Sequence, residues 1–150
     1  MSQKTYPNIL ASYTCNVFNV EKLQSIINEA VDRLKDLHFE AIAFRGNSGA
    51  LFAAPLSLAL KKPMIMVRKT GVSDHGQFKV EGRIHARSYI IVDDFVDSGD
   101  TIRAIHRDIE EINCEYEPEC VAILTYQSRD NSDVIDEIVD EFRTQLIRIY

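Results

Sequence analysis

Apolar residues recur along this chain in two rhythms. Over residues 20 to 37, Leu23, Ile26, Ile27, Ala30, Val31, Leu34 and Leu37 form one stripe at helical spacing, with Asn19 placed to cap it. "EAIAF" (40–44) is a short continuous apolar run, which predicts a strand, and "RGNSG" after it predicts a turn. A second helix is expected through "ALFAAPLSLALKK", with Pro55 either kinking it or sitting near its start. "PMIMVR" (63–68) predicts a second strand, and residues 69 to 87 a long loop or loose hairpin. "SYIIV" (88–92) predicts the third strand. A helix follows from about residue 100, with Ile102, Ile105, Ile109 and Ile112 on one side. "ECVAILTY" (119–126) is a fourth strand, residues 132–143 a last helix, and "TQLIRIY" a candidate closing strand. Apolar strands alternating with helices predict a mostly parallel sheet flanked by helices, an α/β fold in which ligands bind beyond the carboxyl ends of the strands.

Composition narrows this little. The 150 residues are expected to form a single domain, since no linker, repeat or low-complexity tract divides them. A formal charge of −6 argues against a nucleic-acid face, which needs a basic surface. Cys15, Cys114 and Cys120 are odd in number and lack CxxC spacing, so neither a disulfide framework nor a zinc site is read, and a reducing cytoplasm fits. No apolar run approaches a membrane span, and "MSQKTYPN" does not read as a signal peptide.

Candidate chemistry gathers at the end of the third strand, where Asp93, Asp94, Asp97 and Asp100 fall within eight positions. In "DSGDT" (97–101), Gly99 permits a tight turn that lets several amides converge. Ser98 and Thr101 add hydroxyls, and the following helix adds the positive end of its dipole. These features make a phosphate cradle. Asp93 and Asp94 lie too early for it, where carboxylates suit sugar hydroxyls or a hydrated Mg2+. A phosphoacceptor (receiver) site would need an aspartate at another strand end, and Arg45 and Arg68 stand there instead. The spacing does not fit a calcium loop, and the GK[ST] of a Walker loop is absent. A solvated acidic turn is the remaining alternative.

The string "IIVDDFVDSGDT" resembles the 5-phosphoribosyl-1-pyrophosphate (PRPP) signature of the type I phosphoribosyltransferases, and the order of elements resembles that family from about residue 20 to 126. The resemblance implies the type I fold, with residues 1–18 and 127–150 as hood or flanking elements and a reduced hood. It implies that Asp93 and Asp94 bind the ribose hydroxyls and also support Mg2+, directly or through water. Residues Asp97, Ser98, Gly99, Asp100 and Thr101 would hold the 5-phosphate. Arg45, Gly46, Asn47 and Ser48 would face pyrophosphate, in a loop where the family often has a cis peptide. "VRK" is similar to the adenine and orotate branches and makes Lys69 a pyrophosphate contact. "DHG" is similar to the mobile loop of the orotate enzymes and makes His75 a candidate, although Ser73 replaces the lysine expected there. Asp97 resembles the oxopurine branch, where this aspartate faces N7 of the base as general acid and base. Tyr126 stands where that branch carries a lysine, and can stack on a base or simply pack.

The implied reaction joins PRPP to a nucleobase, expected to be a purine, with release of pyrophosphate and a nucleoside 5′-monophosphate. A homodimer is implied as well, with neither a nucleic acid nor a membrane as partner. Two alternatives stand: a PRPP-binding regulator without transferase activity, and a transferase for a pyrimidine or nicotinamide-type base. His38, His85 and His106 receive no role.

Overall fold

A computed structural model describes residues 16–69, 78–113 and 115–150. Ten elements follow in chain order: α1 (Val20–Leu34), β1 (Ala41–Arg45), α2 (Gly46–Leu60), β2 (Met64–Val67), β3 (Val80–Gly82), β4 (Ser88–Asp93), α3 (Asp100–Ile112), β5 (Glu119–Thr125), α4 (Ser132–Phe142) and β6 (Leu146–Arg148). They build one six-stranded sheet of order β3-β2-β1-β4-β5-β6. Every pairing is parallel except β2 with β3, which is antiparallel.

The side-chain period of two sorts each central strand into two faces. Ile42, Phe44, Ile90, Val92, Leu124 and Tyr126 pack beneath α1 and α2. Ala43, Ile65, Val67, Tyr89, Ile91 and Ile123 pack beneath α3 and α4. Both faces are covered, as a parallel sheet requires, which is why these strands read as unbroken apolar runs. From the centre of the sheet the chain crosses outward in opposite directions, β1 to β2 through α2 and β4 to β5 through α3. Right-handed crossovers in opposite directions place α2 and α3 on opposite faces. The order therefore reverses between β1 and β4, and a crevice opens beyond their carboxyl ends.

The local expectations hold with three adjustments. Asn19 caps α1, its side chain accepting from the Lys22 amide at 2.9 Å. The helix stops at Leu34 rather than 37, and Leu37 donates its amide to the Leu34 carbonyl in a closing turn. The expected turn at "RGNSG" is shorter, because α2 begins at Gly46 directly after Arg45. Pro55 then lies well inside α2, where its missing N–H leaves the Leu51 carbonyl without its helical donor. The loose hairpin after β2 contains a real strand, β3. No cis peptide bond occurs among the described residues. Residues 127–150 supply α4 and β6, which extend the helical layer and the sheet. No helix among the described residues is long and apolar enough to cross a membrane.

Candidate active site

A cavity of about 480 Å³ opens at the reversal point. Its walls include Arg45 from the end of β1, Asn47 and Ser48 from the first turn of α2, Lys69 from beyond β2, and the whole stretch from Asp93 to Thr101. Residues far apart in sequence meet because β1 and β4 are neighbours in register, Phe44 beside Val92.

On the β4 side, Asp93 is the last strand residue and is buried. Its Oδ1 accepts from the Asp94 amide at 3.0 Å, and Asp94 Oδ1 accepts from the Phe95 amide at 3.1 Å. Burial first, and the neighbouring Asp94 charge second, hold the Asp93 carboxyl well above the ordinary carboxylate range; the Lys69 charge acts the other way. Asp93 is thus an acid short of positive company.

The chain then turns into α3 through Gly99, whose φ of 79° lies in the left-handed region. A Cβ on Gly99 would stand 2.4 Å from Ile138 Cδ1 and 2.8 Å from Arg103 Nη1, so space and backbone both require glycine. The loop's carbonyls are tied back. Arg103 Nη1 donates to the Ser98 carbonyl at 3.1 Å, its amide donates to the Gly99 carbonyl at 3.0 Å, and the Asn131 amide donates to the Val96 carbonyl at 2.7 Å. The Asp100 amide reaches Ser98 Oγ at 3.3 Å. The amides of Ser98, Gly99, Thr101 and Ile102 donate to none of the described residues. With carbonyls held away and amides left over at a helix start, the loop has the polarity of an anion site.

Two residues that sequence reasoning passed over brace this loop. Asp130 accepts the Val96 amide at 2.8 Å, Thr125 Oγ1 at 3.0 Å and Arg148 Nε at 3.1 Å. Arg103 joins the Ser98 carbonyl to Glu137 and Glu141 of α4, at 3.0 and 2.9 Å. The only sequence signal for Asp130 is its place in "SRDNS" before a helix, which reads as a cap; its contact 34 residues away leaves no local trace.

The β1 side is built differently. Arg45 closes the strand, Gly46 has φ 74°, and Asn47 and Ser48 form the first turn of α2. Gly49 lets this helix approach the sheet: a Cβ there would lie 3.0 Å from Phe44 Cβ and 3.1 Å from the Val92 carbonyl oxygen. Lys69 lies across Gly46, its Cε 3.1 Å from where a Cβ would stand. Asn47 and Lys69 also border a second hollow of about 350 Å³, which Gly46 lines.

Tyr126 takes the packing alternative. Its ring is fully buried, stacked on Phe52 with centroids 4.9 Å apart, and its hydroxyl donates to the Ser48 carbonyl at 2.7 Å. It is absent from the cavity wall, so the β5 end offers no base-stacking ring there. His75 lies outside the described residues. No group of three or more His, Cys, Asp or Glu able to hold a metal occurs among the described residues. Asp93 and Asp94 alone suit Mg2+, which binds through one or two carboxylates and keeps its remaining positions for water and substrate oxygens.

Comparison with known proteins agrees with this architecture. Residues 16–145 match the family model described as the phosphoribosyl transferase domain. An adenine phosphoribosyltransferase of Agathobacter rectalis is 31% identical over 119 residues, 68% of this chain and 67% of that protein. One from Ureaplasma parvum is 34% identical over 98 residues, 55% of this chain and 57% of that protein. The matched stretch is thus little more than half the length of some of these curated relatives. Among solved structures, adenine phosphoribosyltransferase of Thermoanaerobacter pseudethanolicus superposes with a TM-score of 0.66 at 19% identity, covering 90% of this chain and 84% of that one. Orotate phosphoribosyltransferase of Francisella tularensis gives 0.68 at 12% identity, covering 88% and 67%. The fold is shared with enzymes for different bases, and by the match over residues 16–145 the chain belongs to the type I phosphoribosyltransferase family.

Proposed function

We propose that this chain transfers the 5-phosphoribosyl group from PRPP to a purine, giving a purine nucleoside 5′-monophosphate and pyrophosphate. The observation that carries the reading is the set of amides at Ser98, Gly99, Thr101 and Ile102 with no partner among the described residues, in residues lining a cavity that Arg45 and Lys69 line as well. Such a cavity suits a ligand with an anion at each end and hydroxyls between.

In this reading the 5-phosphate sits on the loop amides and the hydroxyls of Ser98 and Thr101. The ribose hydroxyls donate to Asp93 and Asp94, whose negative charge also stabilises the oxocarbenium character that develops at C1. Pyrophosphate lies toward Arg45, Lys69 and the first turn of α2, where fixed positive charge and the helix start offset the charge released as the C1–O bond breaks. The C1–N bond to the base forms as pyrophosphate leaves, and Asp97, exposed at the mouth of the loop, holds or moves a proton at N7. Mg2+, when bound beside Asp93 and Asp94, neutralises part of the pyrophosphate charge. Asp93 suits that role because a nearby cation favours the ionised form that burial disfavours.

Two features bear on the base. The relatives described above act on adenine by name, while Asp97 resembles the oxopurine branch. The proposal is therefore a purine, and adenine, hypoxanthine and guanine are the bases to try first. Pyrophosphate release is measured from PRPP and Mg2+ with each of these, then with orotate, uracil and nicotinamide. Release with a purine alone is expected. PRPP binding without turnover on any base would replace the proposal with a PRPP-binding regulator, and turnover on a pyrimidine or nicotinamide would move it to that base class. A homodimer is part of the same reading, and sedimentation of the purified protein checks it.

A further inference from the structure

On the side of α3 that faces β3, Asp108 is a buried carboxylate with lopsided partners. Its Oδ1 receives Lys79 Nζ at 2.7 Å, and Arg107 Nε and Nη2 at 3.2 Å each. Its Oδ2 is buried with no hydrogen-bond partner. A buried carboxylate with one idle oxygen is a poor way to stabilise a fold, since an apolar side chain of similar size avoids the desolvation. What the acid adds is a fixed attachment for Lys79, whose ammonium it holds above the usual lysine range chiefly by that hydrogen bond.

The two ends of this attachment lead to two separate parts of the cavity wall, the loop before α3 and Lys69. Lys79 immediately precedes β3, its carbonyl accepts the Arg68 amide at 2.9 Å, and Val80 pairs with Val67. Arg68 Nε reaches Glu81 of β3 at 2.7 Å, and the next residue is Lys69. At the other end, Asp108 is part of α3, which begins inside the phosphate loop at Asp100 and lies against β1, β2 and β3. The strand that leads to Lys69 is paired along one side with β1, but on its outer side only three residues of β3 back it, so backbone bonds hold that side weakly.

We propose that Asp108, acting through Lys79, is a positioning residue that fixes the span between the phosphate loop and Lys69, and so favours ligands carrying an anionic group at both ends. This rests on the functional reading above. A ligand that uses the loop alone does not depend on the span; a ligand that reaches Lys69 as well does.

The test compares PRPP with ribose 5-phosphate, which keeps the phosphate and ribose but lacks the second anion. Both are titrated by calorimetry in Mg2+ against the parent protein, Asp108→Asn, Lys79→Met and the double variant, and kcat is measured at saturating PRPP. Each single variant is expected to weaken PRPP roughly tenfold, to leave ribose 5-phosphate unchanged and to leave kcat nearly unchanged. The double variant is expected to be no weaker than Lys79→Met alone, which also removes the 3.4 Å contact of Lys79 with the exposed Glu111, because both changes break the Asp108 bridge. Equal weakening of both ligands would mean that Asp108 merely supports α3, and any pattern other than selective loss of PRPP overturns the proposal. A parent protein that does not bind PRPP overturns the functional reading and this inference together; a parent that binds PRPP alongside unaffected variants overturns this inference alone. If Asp108→Asn fails to fold, Lys79→Met breaks the same bridge from its half-exposed end and gives the answer by itself.

Discussion

The segments that follow β4 and β1 both turn at a glycine of positive φ and run into a helix, yet they are held in different ways. After β4, the backbone is locked by Asp130, Arg103 and Asn131, and Gly99 is pressed against Ile138 of α4. After β1, the helix starts at once, and the nearest atoms to Gly46 are the tip of Lys69, a flexible side chain. The first segment is built to keep its amides in one place. The second leaves room for its cations to adjust.

Alanine substitution tests that contrast most directly. Gly99→Ala meets both strain and a core methyl group, and is expected to lower kcat/KM for PRPP by at least about 100-fold. Gly46→Ala meets the strain of a left-handed residue, about 1–2 kcal/mol, but only a movable lysine, so a much smaller kinetic loss is expected. Equal losses in steady-state assays would erase the distinction between a locked and an adjustable segment.

Within the locked segment, exposed and interior acids should separate by role. Asp97→Asn is expected to slow kcat by about 100-fold with little change in the KM for PRPP, as removal of a proton-transfer group does. Asp94→Asn is expected to raise that KM by roughly tenfold, the scale of one charge-assisted hydrogen bond. Full activity in both variants would remove these acids from the site.

The smallest effect is on stability. Because burial raises the Asp93 pKa above its unfolded value, the ligand-free fold gains from protonated Asp93 and loses that contribution as pH rises through the folded pKa. Asp93→Asn, with nothing to titrate, is therefore expected to melt a few degrees above the parent at neutral pH without ligand, with the gap closing in acid. Thermal melts across pH check this. A variant that melts lower at neutral pH would mean that the carboxylate is well compensated where it sits.

How much of this was legible in the sequence follows from the range of each interaction. Every element but β3 was readable because apolar spacing is local and both sheet faces are covered; β3 is only three residues long and carries no apolar run. The turn into α3 was readable because its parts are consecutive: Ser98, Gly99, Asp100 and Thr101 form the proposed cradle by themselves. Arg45 and Lys69 were placed through family resemblance, and the sheet order brings them into the wall of the same cavity as the loop. Asp108 and Asp130 were not legible, since each acts on a backbone or side chain far along the chain and looks from its neighbours like an ordinary helix or cap acid. Tyr126 illustrates the limit in the other direction. Its position at a strand end invited a binding role, while its ring belongs to the packing under α2.

The short connection from Tyr126 to Asn131 touches both walls at once. Tyr126 gives its amide to the Asp94 carbonyl and its hydroxyl to the Ser48 carbonyl, while Asp130 and Asn131 clamp Val96. This stretch works as a keystone beneath two otherwise separate arches. Lengthening or shortening it by one residue would shift the segments after β4 and after β1 in the same stroke, so the rim tolerates change in length more easily elsewhere.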